Sequence, residues 1–297
     1  MERCTIEKEG FMGVYYPGTY APEKTIIAVG GAMCDELTSI SMTRFLRQAG
    51  YNVLVLAYYY WKGHPNRDTV SIPIDYVEKA VHWLKTTKSP ISKIAMTGIS
   101  TGAVYTLVSA SLIPDIGCVI PVVPFDYVME GSSVILNRYH RSIYKWHGKD
   151  IPYSPWSIAD KGRLKLMWRI MREKKLGQMT RYCYDHNKMQ EESRIKVEQM
   201  HADVLLLAVK YDEAWPSAEA VERIVKVLKE AHYPYRLDYK IYEKASHVLA
   251  DGLDELKGYV HWVLKHNMKN EKNFPKECEE SRQDSFQRIL KFLEEWQ

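Results

Sequence analysis

The sequence predicts an α/β fold: a mainly parallel central sheet with helices on both faces and a helical cap inserted between two of the strands. Short apolar runs alternate with longer amphipathic runs, which is typical of parallel strands joined by crossover helices. No internal repeat, low-complexity stretch or Pro/Gly/Ser-rich linker divides the chain. The alternation stops near residue 125 and resumes near residue 200. We therefore expect a single domain over residues 1–297 with the cap at about 125–200.

Strands and helices alternate through the first part of the chain. TIIAVGG (25–31) predicts a buried strand that stops on two glycines, and NVLVLAYYY (52–60) predicts a second strand. The helix between them, at 36–50, ends at Gly50, because glycine commonly follows a helix. The other elements expected here are an edge hairpin at 10–19, a helix at 70–87, strands at 92–98 and 117–124, and a helix that begins near residue 100.

The second part of the chain begins with the cap. Residues 125–200 contain charge-rich, helix-like segments and no clear strand, which predicts a helical insertion. The apolar run ADVLLLAVKYD (202–212) then predicts a return to the sheet. The elements expected after it are a helix at 217–231, a strand at 236–242, and two closing helices at about 252–267 and 279–296.

Composition and charge exclude several classes of protein. The formal net charge of +4 is too small to indicate a nucleic-acid surface unless it is clustered. No segment approaches 18 uninterrupted apolar residues, so we expect no membrane span. The start MERCTIEKEG lacks the pattern of a signal peptide, and the scattered cysteines show no metal-ligand spacing. We expect a cytoplasmic protein with no metal and no disulfide framework. The cysteines are Cys4, Cys34, Cys118, Cys183 and Cys278.

The segment GISTG (98–102) is the first candidate for chemistry, because it fits the pattern G-x-S-x-G. It follows an apolar strand and opens a helix, as a nucleophile elbow requires. The flanking glycines suit a serine held in a strained backbone conformation with close neighbours. The alternative is a glycine-rich turn in which Ser100 only caps the helix.

A nucleophilic serine needs a base and an acid. In the fold type that has a nucleophile elbow, the three residues follow one another along the chain in the order Ser, acid, His. Asp212 lies just beyond the end of one predicted strand, and His247 lies in the loop after the last strand. Catalytic groups of parallel sheets gather at those ends. An aspartate there is more often a turn residue or a helix cap, yet the three together predict a catalytic triad. Glu213 is a rival acid, whereas Asp238 lies inside a strand and is less suitable.

The loop after the first buried strand, GGAMCDE, is the candidate oxyanion hole. One donor is expected to be the backbone N–H of Thr101, the residue after the nucleophile. The second is expected to be the N–H of Ala32 or Met33, where two glycines let the backbone curl. Cys34 has no definable base beside it and is expected to be a small buried thiol rather than a nucleophile.

Several segments together resemble one family. They are VGG, LRQAGYNVLVLAYYYWKGHP, IPIDYVEKAVHWLKT, KIAMTGISTGA, IKVEQMHADVLLLAVKYDEAWPS and YEKASHVL. From about residue 20 onward, the chain resembles the catalytic domain shared by acyl-CoA thioesterases and bile acid-CoA:amino acid N-acyltransferases, within the α/β-hydrolase superfamily. The resemblance implies an α/β-hydrolase fold with Ser100 as nucleophile, Asp212 as acid and His247 as base.

Two departures from the family's pattern bear on function. Mammalian members carry an N-terminal β-sandwich domain, for which this sequence is expected to have no room. The amino-acid-conjugating members use cysteine as nucleophile, while this sequence has Ser100, as the hydrolytic members do. The resemblance therefore implies hydrolysis more than transfer to an amine.

The cap contains one strongly basic segment, KGRLKLMWRIMREKK (161–175), with seven Lys or Arg and one Glu. Such side chains would suit the phosphates of coenzyme A, and the candidates are Arg163, Lys165, Arg169 and Arg172. A solvated basic helix face explains them too, and a single short cluster is poor support for nucleic-acid binding. Its apolar residues would line an acyl channel or pack on the sheet.

The resulting expectation is a serine hydrolase of small-molecule acyl thioesters or esters, including coenzyme A conjugates, with no cofactor. Three alternatives stay open: an acyl-CoA:amino acid N-acyltransferase, a carboxylesterase or peptidase with the same triad, and a ligand-binding protein that kept the fold. The sequence leaves the acyl chain, the leaving group and the oligomeric state open.

Overall fold

Strands and helices alternate along the chain in a computed structural model that describes residues 1–133, 138–156, 168, 172, 178–251 and 268–297. The strands are β1 (Glu2–Cys4), β2 (Met12–Tyr16), β3 (Lys24–Val29), β4 (Asn52–Ala57), β5 (Ile72–Pro73), β6 (Lys93–Ile99), β7 (Ile116–Val122), β8 (Glu130–Ser132), β9 (Arg138–Ser142), β10 (Tyr144–Trp146), β11 (Lys149–Asp150), β12 (Asp203–Val209) and β13 (Leu237–Tyr242). The helices are α1 (Ile6–Glu9), α2 (Glu36–Ser41), α3 (Arg44–Gln48), α4 (Asp75–Thr87), α5 (Thr101–Leu112), α6 (Gln178–Asp185), α7 (Ser217–Glu230), α8 (Lys269–Asn273) and α9 (Pro275–Glu295), with 3-10 turns at Glu191–Ser193 and Val197–Gln199.

The central sheet has eight strands in the order β1-β2-β4-β3-β6-β7-β12-β13. Only β1 and β2 run antiparallel to their neighbours, and every other pair is parallel. The predicted mainly parallel sheet is therefore confirmed. The expected edge hairpin at 10–19 lies further toward the N-terminus, because β1 pairs with β2 through the short helix α1.

Both faces of the sheet are covered. Every residue of β3 and of β4 is buried, as expected for parallel strands with helices packed on both sides. One apolar cluster lies on the face with α4, α5 and α7, and the other on the face with α3 and α9. Because β3, β6, β12 and β13 are parallel, their carboxyl ends lie at one edge of the sheet.

The cap differs from the helical insertion that the sequence predicts. Four short strands, β8 to β11, lie where no strand was expected. β8 pairs with β9, and β10 pairs with β11 and with β5, which lies about 70 residues earlier in the chain. The expectation of no strand was therefore wrong for residues 130–150, because strands of two to five residues are too short to show a period of two. A helix, α6, does follow at Gln178–Asp185.

Two other helices have bounds that differ from the predicted ones. The helix expected at 36–50 is two helices, α2 and α3, with a break at Met42 and Thr43. The helix expected at 279–296 begins earlier, at Pro275, a residue type that is favoured at a first helical position. The helix expected at 252–267 lies outside the described residues. No helix in the described part of the chain is long and apolar enough to cross a membrane.

Candidate active site

Ser100 occupies the sharp turn between β6 and α5. Its backbone angles, φ 58° and ψ −122°, are rare for residues other than glycine. A Cβ at Gly98 would lie 2.4 Å from the carbonyl oxygen of Gly102, and one at Gly102 would lie 2.2 Å from that of Gly30. Both glycines are therefore required by close backbone contact. The side chain of Ser100 makes no helix-capping hydrogen bond, so the turn leaves its hydroxyl available.

The three predicted triad residues form one hydrogen-bonded row. His247 Nε2 lies 2.8 Å from Ser100 Oγ, and His247 Nδ1 lies 2.9 Å from both carboxylate oxygens of Asp212. With the proton on Nδ1, the imidazole donates to Asp212 and accepts from the Ser100 hydroxyl. Asp212 and His247 are only 3% and 7% exposed, so little water competes for these bonds.

The surroundings of Asp212 fix the orientation of its carboxylate. Oδ2 accepts from the Ser217 hydroxyl at 2.6 Å, and Oδ1 accepts from the backbone N–H of Ala214 at 2.9 Å. The Trp215 ring packs edge-on against His247, with ring centroids 5.6 Å apart, while its indole N–H donates to the carbonyl of Val123. These contacts restrict both rings and carboxylate to the triad geometry.

The rival acids are engaged elsewhere. Glu213 is buried and accepts the backbone N–H groups of Lys269 and Asn270, each at 2.7 Å. Burial raises the pKa of the Glu213 carboxyl, and these two donors oppose that shift. Asp238 forms an ion pair with Arg236 on the surface. Neither carboxylate contacts His247 among the described hydrogen bonds.

The candidate oxyanion loop follows β3 and passes beside the nucleophile. A Cβ at Gly31 would lie 3.5 Å from Ser100 Cβ, which places this loop in contact with the elbow. The sequence offers the N–H of Ala32 or of Met33 as the second donor. The N–H of Met33 instead donates to the Tyr59 hydroxyl at 2.7 Å. The Met33 amide is thus already occupied, which leaves the Ala32 amide as the candidate for the second donor beside that of Thr101.

Tyrosines missed by the sequence analysis hold this region. The Tyr58 hydroxyl donates to the carbonyl of Gly30 at 3.0 Å, and Tyr59 holds the amide of Met33. From the cap, the Tyr144 hydroxyl donates to the carbonyl of Thr101 at 2.9 Å. The run of three tyrosines at the end of the second predicted strand could have indicated these hydrogen bonds, since buried hydroxyls need partners.

Cys34 lies in the same loop and is half-buried. Burial raises the pKa of its thiol to about 11, so the reactive thiolate form is scarce at neutral pH. Its surroundings thus support the expectation of an unreactive thiol.

Of the basic cap segment (161–175), the described residues are Trp168 and Arg172. Arg163, Lys165 and Arg169 lie outside the described residues. Arg172 is exposed, and its guanidinium lies 6.0 Å from the ring of the exposed Trp168. This pair presents a cation and an aromatic ring to solvent.

One group of side chains among the described residues could hold a metal ion. Asp75, Glu78 and His147 place one ligand atom each within 4.8 Å of one another, where the start of α4 meets the turn between β10 and β11. His147 is exposed and its Nε2 lies 3.2 Å from Glu78. The triad does not include any of these three residues.

Comparisons with known proteins agree with the fold. A family model described as BAAT / Acyl-CoA thioester hydrolase C terminal matches residues 72–295. An esterase structure from Pyrococcus furiosus is 15% identical, with a TM-score of 0.53, over 100% of this chain and 95% of that chain. A putative dienelactone hydrolase from Klebsiella pneumoniae is 15% identical, with a TM-score of 0.54, over 99% and 98% of the two chains. At this identity, the structures show the α/β-hydrolase fold. No curated protein matches the sequence.

Proposed function

The chain belongs to the BAAT / acyl-CoA thioester hydrolase C-terminal family, and from this membership we propose that it is a serine hydrolase that cleaves acyl thioesters through an acyl-enzyme. One observation carries the proposal: the unbroken row of hydrogen bonds from Ser100 through His247 to Asp212, with the serine on a strained elbow. A serine that serves only as a helix cap has no need of a buried imidazole and carboxylate behind it.

Acylation begins with the hydroxyl of Ser100. Its oxygen attacks the carbonyl carbon of the acyl group while its proton passes to His247 Nε2, 2.8 Å away. Asp212 accepts from the opposite ring nitrogen and stabilises the imidazolium that forms. The negative charge on the former carbonyl oxygen is held by the N–H groups of Thr101 and Ala32, which act as donors fixed before the reaction.

The leaving group and a water complete the cycle. The bond from the carbonyl carbon to sulfur or oxygen breaks, and the departing thiol or alcohol takes the proton from His247. A water then gives a proton to His247 and attacks the acyl-enzyme, which releases the carboxylic acid and restores the Ser100 hydroxyl. Every proton is carried by His247, so this chemistry needs no group beyond those the chain supplies.

The finer proposal is that the leaving group is coenzyme A. The family description names acyl-CoA thioester hydrolases, and Arg172 with Trp168 offers a charged and aromatic surface in the cap. We expect Arg172→Ala to raise KM for acyl-CoA thioesters while leaving KM for p-nitrophenyl esters unchanged. An equal change for both substrates would remove the CoA assignment and leave a general esterase.

A substrate panel with a serine blank tests the function. CoA thioesters, p-nitrophenyl esters and aminoacyl amides would be assayed with wild type, Ser100→Ala and Ser109→Ala. Ser109 is a matched control because it is buried on α5 and its hydroxyl has no hydrogen-bond partner among the described residues. Ser109→Ala should keep wild-type turnover, whereas Ser100→Ala should lose at least about a thousandfold. Equal turnover by Ser100→Ala and wild type would refute the serine mechanism.

Two alternatives have their own signatures. If glycine or taurine in the assay yields amide in place of free acid, the enzyme is an N-acyltransferase. If a fluorophosphonate probe leaves Ser100 unlabelled and no substrate turns over, the chain is a binding protein with an inherited triad. Serine at the nucleophile position favours hydrolysis over transfer to an amine, and the complete triad argues against a binding protein.

A further inference from the structure

A short segment near the C-terminus packs behind the two loops that carry the acid and the base. Asn270, in α8, is buried, and its side-chain amide donates to the carbonyl of Tyr211 at 3.2 Å and to that of Ala245 at 2.8 Å. Tyr211 directly precedes the catalytic acid, and Ala245 lies two residues before the base. One side chain therefore joins the Asp212 loop to the His247 loop.

The loop that carries Asp212 (the acid loop) also bonds back to α8. The carboxylate of Glu213, the neighbour of Asp212, accepts the backbone N–H groups of Lys269 and Asn270 at 2.7 Å each. These are N–H groups of the first turn of α8, which have no partner within the helix, so the contact also caps it. Glu213 thus anchors α8 to the acid loop. Asn270 of the same helix also bonds to the loop that carries His247 (the base loop).

The base loop has a second attachment through Glu271. The Ser246 hydroxyl, next to His247 in the chain, donates to the Glu271 carboxylate. That carboxylate also pairs with Arg282 of α9 at 2.5 Å, and Arg282 is only 1% exposed. The backbone N–H of Val248 donates to Ser246 Oγ at 3.3 Å, so hydrogen bonds restrain the main chain on both sides of the histidine.

We propose that Asn270 and Glu271 are positioning residues that set the separation between His247 and Asp212; this rests on the proposed function. The two catalytic loops end different strands, β12 and β13, and Asn270 bonds to the main chain of both. A fully buried ion pair such as Glu271 with Arg282 is weak as a source of stability, because desolvation offsets its attraction. A role in fixing the geometry of a catalytic loop explains its place behind His247.

The first test uses two matched asparagines. Asn270→Ala removes the bridge between the loops. Asn52→Ala removes an equally buried amide that donates to the carbonyls of Pro22 and Lys24 at the opposite end of the sheet. With a p-nitrophenyl ester, Asn270→Ala should lower kcat about tenfold or more with little change in KM, since a small misplacement of catalytic groups slows the chemical step. Asn52→Ala should lower Tm and keep kcat.

A second pair of variants tests the positioning role independently if Asn270→Ala folds poorly. Ser246→Ala removes the hydroxyl that joins the base loop to Glu271. Ser285→Ala makes the same change at a fully buried serine of α9 whose hydroxyl, among the described residues, donates to the carbonyl of Arg282 in its own helix. The expected result is a several-fold loss of kcat in Ser246→Ala alone. Equal kcat in Ser246→Ala and Ser285→Ala, measured on folded protein, would overturn the proposal.

A spectroscopic readout separates this proposal from the proposed function. The proton shared by His247 Nδ1 and Asp212 is expected to give a far-downfield proton NMR signal that is sharp in wild type and weakened in Asn270→Ala. An unchanged signal with unchanged kcat overturns the positioning role. If wild type shows the signal but neither turns over substrate nor reacts with a fluorophosphonate, the proposed function fails instead; a signal that still weakens in Asn270→Ala then supports the positioning role.

Discussion

Gly102 is the residue whose replacement should damage the site most selectively. A Cβ at this position would lie 2.2 Å from the carbonyl oxygen of Gly30, which begins the candidate oxyanion loop. Ordinary van der Waals contacts of a Cβ lie at 3.4–4 Å, more than 1 Å longer, because closer atoms repel strongly. In Gly102→Ala, either α5 or the oxyanion loop must therefore move by about 1 Å.

The magnitudes of the competing effects decide the outcome. Overpacking costs about 1–3 kcal/mol, while alanine in place of glycine favours the helix by up to about 1 kcal/mol. The net loss of stability is thus modest, and the protein should fold. A misplacement of about 1 Å at a catalytic group lowers the rate by about a hundredfold. We therefore expect a folded variant with kcat reduced about a hundredfold.

The assay compares Gly102→Ala with Gly117→Ala. A Cβ at Gly117 would lie 3.2 Å from the Trp296 ring, near the amino end of β7 and away from the elbow. Ester turnover and Tm would be measured for both. Gly117→Ala should lose some stability and keep wild-type kcat. Wild-type kcat in folded Gly102→Ala would show that the oxyanion loop does not depend on this contact, and the reasoning would be refuted.

Three further perturbations have defined outcomes. Asp212→Asn should lower kcat by about 10³–10⁴-fold, because the amide no longer fixes the His247 tautomer; a loss under tenfold, measured by ester turnover, would exclude Asp212 as the acid. Ser217→Ala removes a buried bond of 2.6 Å to Asp212 and should reduce the free energy of unfolding in urea by about 1.5–3 kcal/mol, with a several-fold loss of kcat; unchanged values would contradict the environment described for Asp212. Burial opposes ionisation of the Glu130 carboxyl, but donors led by Arg138 hold its pKa below the ordinary 4.5. The stabilisation is therefore complete above that pH and is lost as pH falls through the lower folded pKa, so acid melts of Glu130→Gln should show a flatter decline below about pH 4.5 than wild type.

The sheet was predictable because its strands are long apolar runs bounded by glycines and turns. β3, β4 and β12 all fall within runs visible in the sequence, with their buried residues contiguous. The triad residues could be found for the same reason: each follows or interrupts the end of such a run. Parallel topology then brings distant ends together, which the structure confirms for the fold.

The cap and the supports of the site could not be predicted in this way. β10 pairs with β5 across about 70 residues, and neither strand is long enough to show its own pattern. By its position in the sequence the Met33 amide fits an oxyanion donor, but in the fold it donates to the Tyr59 hydroxyl. Asn270 reaches carbonyls 59 and 25 positions earlier in the chain. Such hydrogen bonds depend on three-dimensional packing, which periodicity does not encode.

The most direct test of the account is to trap the acyl group on the enzyme. Wild type would be mixed with an acyl-CoA thioester, quenched in acid before one turnover is complete, and analysed by mass spectrometry of its peptides. The serine mechanism predicts the mass of the acyl group on the peptide that contains Ser100, and no such mass in Ser100→Ala. Product formation by Ser100→Ala at the wild-type rate, with no acylated Ser100 peptide at any quench time in wild type, would contradict it.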